Sequence, residues 1–173
     1  ADSMANVLIT GETGTGKELA ARTVFQLNSD YGRNFVSVNC AALQENLIET
    51  QFFGHKKGAF TNAYQDTPGL FEKAHKGTLF LDEVRELTPA AQAKLLRVLE
   101  NGEYTPVGST EVKTADVRII AATNKNLRQR VSEGKMREDF FNRLHILAVE
   151  LPPLRLHKED IPLLVSHFFQ LTI

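Results

Sequence analysis

The sequence predicts an α/β fold in three layers, with a mostly parallel five-stranded sheet between two layers of helices. Five short apolar runs read as strands, at residues 6–10, 35–39, 78–84, 117–123 and 144–151. Segments with helical periodicity alternate with these runs, which is the pattern of βαβ units. The runs are continuous instead of alternating with polar residues, which is typical of parallel strands covered on both faces.

The first half of the chain reads as two βα units and an interruption. The strand at 6–10 leads through a glycine-rich turn into a helix at 17–27, and the strand at 35–39 leads into a helix at 41–52. The glycine-rich stretch 54–69 breaks the pattern, and a short helix at 70–75 precedes the third strand.

The second half continues the alternation. Thr88 is a good N-cap and Pro89 a good first helical residue, so a helix is expected from there to about Gly102. The fourth strand follows at 117–123, the fifth ends at two prolines, 152 and 153, and a last helix begins near Asp160. Ligands of such sheets bind beyond the carboxyl ends of the strands. Functional residues are therefore expected just after Thr10, Asn39, Leu81 and Thr123.

Composition restricts the class of protein. The chain has 173 residues, of which 42% are hydrophobic and 24% charged, enough for one buried core. A net charge of −1 argues against wholesale nucleic-acid binding by this segment. The single Cys40 fits a reducing, cytoplasmic location, and neither a membrane span nor a signal peptide is predicted. The ends of the chain suggest one truncated domain, residues 1–173, cut from a longer protein.

The stretch "GETGTGKE" matches the phosphate-loop pattern G-x-x-x-x-G-K between a strand and a helix. Its backbone amides and the helix N-terminus would surround phosphate oxygens, and Lys17 would reach the β- and γ-phosphates. Glu18 stands where Ser or Thr usually holds magnesium, so the metal would depend on water and on an acid elsewhere. The alternative is a glycine-rich turn without a ligand. The predicted nucleotide-binding residues are Gly11, Glu12, Thr13, Gly14, Thr15, Gly16, Lys17 and Glu18.

Two acids end the third apolar strand. Asp82 is expected to hold Mg²⁺, directly or through water, and Glu83 to orient or deprotonate the attacking water. Alone, the pair could simply mark a strand that enters a solvated turn. The phosphate loop upstream favours the catalytic interpretation.

Two asparagines end neighbouring strands. Asn124 is expected beside Glu83, where its amide could hydrogen-bond the γ-phosphate or the water, and Asn39 could hold the Glu83 carboxylate. Either could instead be an asparagine that helps the chain to turn.

Arg137 and Arg143 lie in "MREDFFNRL". A guanidinium can stabilise the charge that builds on a γ-phosphate during hydrolysis. The segment is expected to point away from its own nucleotide and could serve a neighbouring subunit. A solvated helix face with Arg–Asp pairs is the alternative, and the residues alone do not choose between the two.

Seven motifs in order resemble the sigma-54 interaction domain, the AAA+ ATPase of NtrC-like bacterial enhancer-binding activators. They are "GETGTGKE", "NCAAL", "GAFTNA", "GTLFLDE", "RIIAATN", "MREDFFNRL" and "LPPLR". The resemblance implies a P-loop NTPase (AAA+) core in a ring, usually a hexamer, with ATP and Mg²⁺ at subunit interfaces. It assigns the trans-acting arginine fingers to Arg137 and Arg143 and the residue that switches the catalytic glutamate to Asn39. Lys17, Asp82, Glu83 and Asn124 match the phosphate-loop lysine, the metal-binding acid, the catalytic acid and the first sensor.

The resemblance also explains an aromatic residue among small, turn-forming ones. In this family the "GAFTGA" loop rises when ATP is bound and engages sigma-54, so Phe60 and Thr61 are the expected contact pair. The alternative places Phe60 folded down onto the domain between contacts. Residues 107–114 resemble a supporting loop. The predicted partner-binding residues are Gly58, Ala59, Phe60, Thr61, Asn62 and Ala63.

Three positions depart from the family pattern, because Asn62, Lys76 and Arg85 stand where the family more often has glycine. Asparagine tolerates a positive φ well, so the loop turn is expected to survive. The family further implies a helical lid beyond residue 173, and receiver and DNA-binding domains that this chain does not include.

The predicted function is an ATP-driven activator module that remodels sigma-54 RNA polymerase. One alternative is an ATP-binding regulatory or oligomerisation module whose altered loop no longer engages sigma-54. Another is an AAA+ remodeller of a different protein.

Overall fold

The computed structural model describes residues 5–27 and 34–171, and it confirms the predicted α/β class. The five main strands form one sheet in the order β2-β3-β6-β1-β7, and all four strand pairs are parallel. The strands are β1 (Val7–Gly11), β2 (Phe35–Asn39), β3 (Gly77–Asp82), β4 (Glu103–Tyr104), β5 (Lys113–Thr114), β6 (Val117–Thr123) and β7 (Leu147–Leu151). The α-helices are α1 (Lys17–Gln26), α2 (Ile48–Phe53), α3 (Leu70–Lys73), α4 (Pro89–Asn101), α5 (Leu127–Ser132), α6 (Glu138–Leu144) and α7 (Ile161–Leu171).

Both faces of the sheet are covered at its central strands β3, β6 and β1, as the continuous apolar runs predict, whereas the edge strand β7 is largely exposed. On one face, Ile9, Phe80 and Ile120 pack with Ala21 of α1. On the other face, a larger cluster combines strand residues with side chains of α2 to α6. Because neighbouring strand residues point to opposite faces, each central strand must be apolar throughout to fill both clusters. Among the residues that the structure describes, no helix is both long enough and apolar enough to span a membrane.

The helix at α4 forms as its sequence signals predict. The Thr88 hydroxyl accepts a hydrogen bond from the amide of Ala91 at 3.3 Å, and Pro89 is the first helical residue. Gly102 ends the helix with a φ of 72°, and its amide donates to the carbonyl of Val98. The following residues contribute a short antiparallel hairpin of β4 and β5, which the apolar pattern does not predict.

Three boundary predictions are wrong. Residues 41–52 do not form one helix: two 3₁₀ turns, Cys40–Ala42 and Glu45–Leu47, precede α2, because the chain becomes extended at Leu43 and Gln44. The fifth strand begins at Leu147 instead of residue 144. Leu144 is fully buried as the last residue of α6, so an apolar helical stripe runs directly into an apolar strand. The third strand is also shorter than expected, since Val84 already belongs to a 3₁₀ turn.

Lys76 has a φ of 55°, in the left-handed region that costs a residue with a Cβ atom about 1–2 kcal/mol. Replacing Lys76 by Gly removes this strain, although it also adds freedom to the unfolded chain, which offsets about 0.4–1 kcal/mol. We expect Lys76→Gly to raise the free energy of unfolding by about 0.5–1 kcal/mol, and the melting temperature by roughly 2 °C, in thermal denaturation.

Lys73→Gly is the matched control, because Lys73 is helical and has no strain to release. Glycine there is expected to lower the melting temperature. A melting temperature of Lys76→Gly at or below that of the wild type would contradict the account of Lys76.

Candidate active site

The carboxyl ends of the central strands meet at one edge of the sheet, as expected. Thr10 pairs with Thr123 and with Glu150, Asn39 pairs with Asp82, and Leu81 pairs with Ala121. In the sheet, β6 lies between β3 and β1. Asn124, the residue after β6, therefore lies between the acids Asp82 and Glu83 and the loop that follows β1. A cleft of about 470 Å³ opens at this edge, and its lining includes Gly11, Glu12, Asn124 and Pro153.

The loop between β1 and α1 has the backbone of a phosphate-binding turn. Gly14 and Gly16 have φ values of 86° and 82°, which L-residues with side chains rarely adopt. Gly16 is the N-cap of α1, and no side chain caps this end of the helix. The first amides of a ten-residue helix therefore point out of the loop without a side-chain acceptor, where an anion could bind.

Lys17 is folded back onto this loop. Its ammonium group donates to the carbonyls of Gly11 at 3.0 Å and Glu12 at 2.9 Å, and its side chain is buried. The positive charge is thus held against the loop backbone, beside the helix N-terminus. Phosphate oxygens could replace these carbonyl oxygens as acceptors without moving the charge far.

Glu12 forms a two-pronged ion pair with Arg155. The two guanidinium nitrogens donate to the two carboxylate oxygens at 2.7 and 2.6 Å. The hydrogen bonds from Arg155 hold the pKa of the Glu12 carboxyl below its usual value, and the pKa of Arg155 is raised in turn. The pair ties the loop after β1 to the 3₁₀ turn Leu154–Leu156, 143 residues away in the chain.

The residues that could hold magnesium are few. Glu18 forms an ion pair with Arg22, one helical turn along α1, at 2.8 Å. Asp82 ends β3, and one of its carboxylate oxygens accepts the amide of Glu83 at 3.0 Å. Residues 5–27 and 34–171 contain no group of three His, Cys, Asp or Glu arranged to bind a metal. This donor set fits Mg²⁺, which is usually held by one or two carboxylates, water and substrate phosphates instead of a protein cage.

Glu83 has a strained backbone, with φ 49° and ψ 46°. Such conformations are concentrated at functional sites, where the surrounding structure imposes them. Its Oε2 atom is buried, and in the described part of the chain it accepts no hydrogen bond. The Nε atom of Arg85 lies 3.3 Å from this oxygen, so the carboxylate has an ion-pair partner on the next turn of the backbone.

The two asparagines have different partners. The Asn124 amide donates to the hydroxyl of Thr13 in the phosphate loop at 2.9 Å, and its Oδ1 atom is buried without a partner among the described residues. Asn39 lies beside Asp82 in the sheet, but its oxygen accepts the amide of Ala41 and caps the following 3₁₀ turn. The structure therefore places Asn124 against the loop. The oxygen of Asn39 caps the following turn, and in the described residues the Asn39 Nδ2 group, which alone could donate to a carboxylate, makes no hydrogen bond to Glu83.

The pKa of the Cys40 thiol depends on burial and on the neighbouring acids. Burial, followed by the charges of Asp82, Glu83 and Glu86, raises the pKa of this thiol to about 12. The thiol therefore stays protonated near neutral pH.

The two predicted finger arginines are anchored away from the phosphate loop. The Arg137 guanidinium donates to both carboxylate oxygens of Asp139, at 3.0 and 2.6 Å. Arg143 donates twice to the carbonyl of Leu99 in α4, at 2.9 and 2.8 Å. Both guanidinium groups are on the surface at α6, as a residue that serves a neighbouring subunit would be.

Residues 54–69 form a loop whose base is held by backbone hydrogen bonds. His55 forms backbone bridges to Thr67 and to Val107, and the amide of Lys56 donates to the Val107 carbonyl at 3.0 Å. Asp66 closes the base by binding the ammonium group of Lys56 and the amide of Lys57, both at 2.8 Å. The supporting role expected for residues 107–114 thus has a counterpart at Val107, where the two loops share hydrogen bonds.

The tip of this loop keeps its aromatic residue close to the domain. The ring of Phe60 packs against His55 with centroids 4.9 Å apart, although 41% of the residue remains exposed. Thr61 is exposed, and its hydroxyl has no hydrogen-bond partner in the described residues. Asn62 is not among the residues with positive φ, so glycine is not required there in this conformation.

Sequence reasoning missed two charged residues at this site. Arg155 ends the quoted motif "LPPLR" but received no role, and Arg85 stood out only as a departure from the family pattern. Their partners, Glu12 and Glu83, were both predicted site residues. A search for arginines within the site motifs would have found Arg155, and one extended by two residues past "GTLFLDE" would have found Arg85, although neither would have found the pairs.

The chain is similar in sequence to known bacterial regulatory proteins. The family described as the sigma-54 interaction domain matches residues 1–150. A Nif-specific regulatory protein of Azorhizobium caulinodans is 53% identical over 168 residues, which are 97% of this chain and 27% of that protein. The DNA-binding transcriptional regulator NtrC of Rhizobium meliloti is 52% identical over 168 residues, which are 95% of this chain and 34% of that protein.

A solved structure agrees with these relatives. NtrX from Brucella abortus in complex with ATP superposes with a TM-score of 0.88 at 38% identity, over 98% of this chain and 38% of NtrX. The chain spans between 27% and 38% of the length of these three proteins. With its phosphate loop, strand-end acids and loop in the matched region, the chain belongs to the sigma-54 interaction domain family, as found in NtrC-like and Nif-specific transcriptional activators.

Proposed function

We propose that this domain hydrolyses ATP in a ring oligomer and uses the hydrolysis to remodel sigma-54 RNA polymerase. One observation supports the proposal most: the phosphate loop, Asp82, Glu83 and Asn124 all lie at the carboxyl edge of one parallel sheet. The family match and the ATP-bound relative agree with this reading.

Each residue at this edge has a task in the proposed reaction. The amides of the 11–16 loop and Lys17 bind the phosphates, and Mg²⁺, held beside Asp82, would neutralise charge on them. Glu83 accepts a proton from the attacking water, which forms a new P–O bond as the bond to ADP breaks. Asn124 is fixed by Thr13, so its buried oxygen can orient that water.

The neighbouring subunit completes the site in this proposal. Arg137 and Arg143 are exposed and make no contact with the phosphate loop of their own chain. In a closed ring with head-to-tail interfaces, each site would receive them from the next subunit. The charge that develops on the γ-phosphate would then be stabilised only after assembly.

The loop at 58–63 is the proposed output. It leaves the domain through a base clamped by Asp66 and Val107, with Thr61 exposed at its tip. Phe60 can exchange its contact with His55 for a contact with sigma-54, since the residue is 41% exposed and its ring, among the described residues, pairs with one other ring. DNA would be bound by a domain outside this chain.

Thr61→Ala is expected to abolish activation of transcription from a sigma-54 promoter and to leave the ATPase rate within about twofold, since the hydroxyl makes no contact that stabilises the domain. The measurement is promoter opening in vitro with the full-length protein, beside ATP hydrolysis by the same samples. Thr105→Ala, a matched change at another exposed threonine, should preserve both activities.

Normal activation by Thr61→Ala would show that the loop is not the output. A wild-type protein that opens promoters without hydrolysing ATP would contradict the proposal as a whole.

A further inference from the structure

The side chain of Arg85 lies between two carboxylates. Its Nε atom is 3.3 Å from Oε2 of Glu83 and 2.8 Å from Oε1 of Glu86. The side chains of Arg85 and Glu83 are only 20% and 17% exposed, whereas that of Glu86 is 39% exposed. The contact of Arg85 with Glu83 is therefore more shielded from solvent than its contact with Glu86. Its electrostatic attraction is less screened for the same reason.

The backbone holds Arg85 in this place. Its carbonyl accepts a hydrogen bond from Arg130 of α5 at 2.7 Å, and the 3₁₀ turn Val84–Glu86 begins directly after the strained Glu83. The Nε atom forms no well-directed hydrogen bond, so both contacts are ion pairs without fixed geometry. The guanidinium can thus move between the two acids at small cost.

No other side chain takes this role in the described structure. The family resemblance would place Asn39 on Glu83, but in the described residues the Asn39 Nδ2 group donates no hydrogen bond to Glu83, and the Asn39 oxygen accepts the amide of Ala41. The acids Asp82, Glu83 and Glu86 lie close together in the chain and make this region negative. Arg85 is the cation paired with Glu83 inside that region.

We propose that Arg85 restrains the Glu83 carboxylate and slows basal ATP hydrolysis, and that Glu86 weakens the restraint by competing for the same guanidinium. Arg85 is a positioning residue, because it acts through Glu83 and does not touch substrate. The proposal rests on the catalytic role proposed for Glu83.

The mechanism follows from elementary electrostatics. The guanidinium holds the Glu83 carboxylate toward itself, so the carboxylate is not placed to accept a proton from the attacking water. Removing the cation frees Glu83 and should speed the chemical step. Without Glu86, Arg85 would pair with Glu83 alone. This should slow the chemical step.

The test compares three variants of the full-length protein in steady-state ATPase assays. Arg85→Gln is expected to raise kcat by about three- to tenfold with KM for ATP within about twofold, since a partly exposed ion pair has roughly this effect. Glu86→Gln is expected to lower kcat by about two- to threefold. Arg85→Lys keeps the charge and should stay within about twofold of the wild type.

The opposite signs are the decisive result, because a merely structural role of Arg85 would lower kcat in both variants. Changes of the same sign, no change in either variant, or a reversed order would each overturn the proposal. If the wild type itself fails to hydrolyse ATP, the proposed function fails, and this result is distinct from any of the three.

A second measurement is independent of activity. In a double-mutant cycle of Glu83→Gln and Arg85→Gln, the free energies of unfolding should be non-additive, with the pair stabilising the fold. Additive effects would show that the two side chains do not interact, and would overturn the restraint.

Discussion

Replacing Glu83 by Gln is expected to lower kcat for ATP hydrolysis by a factor of about 10²–10⁴, the usual contribution of a general base. Glutamine has the size of glutamate but cannot accept the proton of the attacking water. The phosphate loop, Lys17 and Asp82 are unchanged, so the affinity for ATP should stay within a fewfold of the wild type. Binding of a fluorescent ATP analogue and release of phosphate measure the two quantities separately.

The control for this variant is Glu45→Gln, which makes the same change at an exposed glutamate of the 3₁₀ turn Glu45–Leu47. It should leave both quantities unchanged. If Glu83→Gln keeps more than about a tenth of the wild-type kcat, another group accepts the proton. Equal loss of binding and turnover would instead indicate a structural role for the strained backbone at this position.

Arg143→Ala is expected to lower the ATPase rate of the assembled protein by about 10³–10⁵, as the loss of an arginine finger does. Nucleotide binding to a single subunit should be unaffected, because the guanidinium binds the Leu99 carbonyl instead of the phosphate loop. Arg137→Ala should behave in the same way. The Arg137 guanidinium donates hydrogen bonds to Asp139, and these would have to break before Arg137 could reach the neighbouring subunit.

Mixing experiments test whether the arginines act between subunits. Lys17→Ala subunits should be inactive alone, and so should Arg143→Ala subunits. A mixed ring regains activity wherever an intact phosphate loop faces an intact arginine from the next subunit. Arg97→Ala, at an exposed arginine of α4, is the control, and melting temperatures exclude simple unfolding. Full activity of Arg143→Ala, or of a dilute monomer, would contradict the shared site.

The sequence predicts elements best where local signals agree. The helix α4 has an N-cap, a proline and a terminal glycine, and all three act as expected. Residues 41–52 carry apolar residues at helical spacing, but Asn39 caps a 3₁₀ turn and the chain then becomes extended. Around residue 144 two apolar patterns overlap, and burial of Leu144 in the larger hydrophobic cluster decides in favour of the helix. Such conflicts are settled by packing, which local propensity does not include.

In the candidate site, too, local sequence signals predict some features and tertiary packing decides the others. The predicted residues at the strand ends do meet at one edge, because parallel strands bring their carboxyl ends together. The positive φ considered for Asn62 is not used. Lys76, where the family more often has glycine, does have a positive φ, and so does Glu83, for which no glycine was expected. The pairs of Glu12 with Arg155 and of Glu83 with Arg85 follow from no motif, since an ion pair depends on where two turns come to lie.

By itself, the sequence determined the α/β class, the phosphate loop, the strand-end acids and the exposed loop, because each depends on residues that are neighbours in the chain. Only the tertiary structure decided the strand order that places Asn124 between Glu83 and the phosphate loop. It also decided which cation restrains which carboxylate. These features join segments as far as 143 residues apart. Their geometry is set by the packing of the whole domain, which no local pattern encodes.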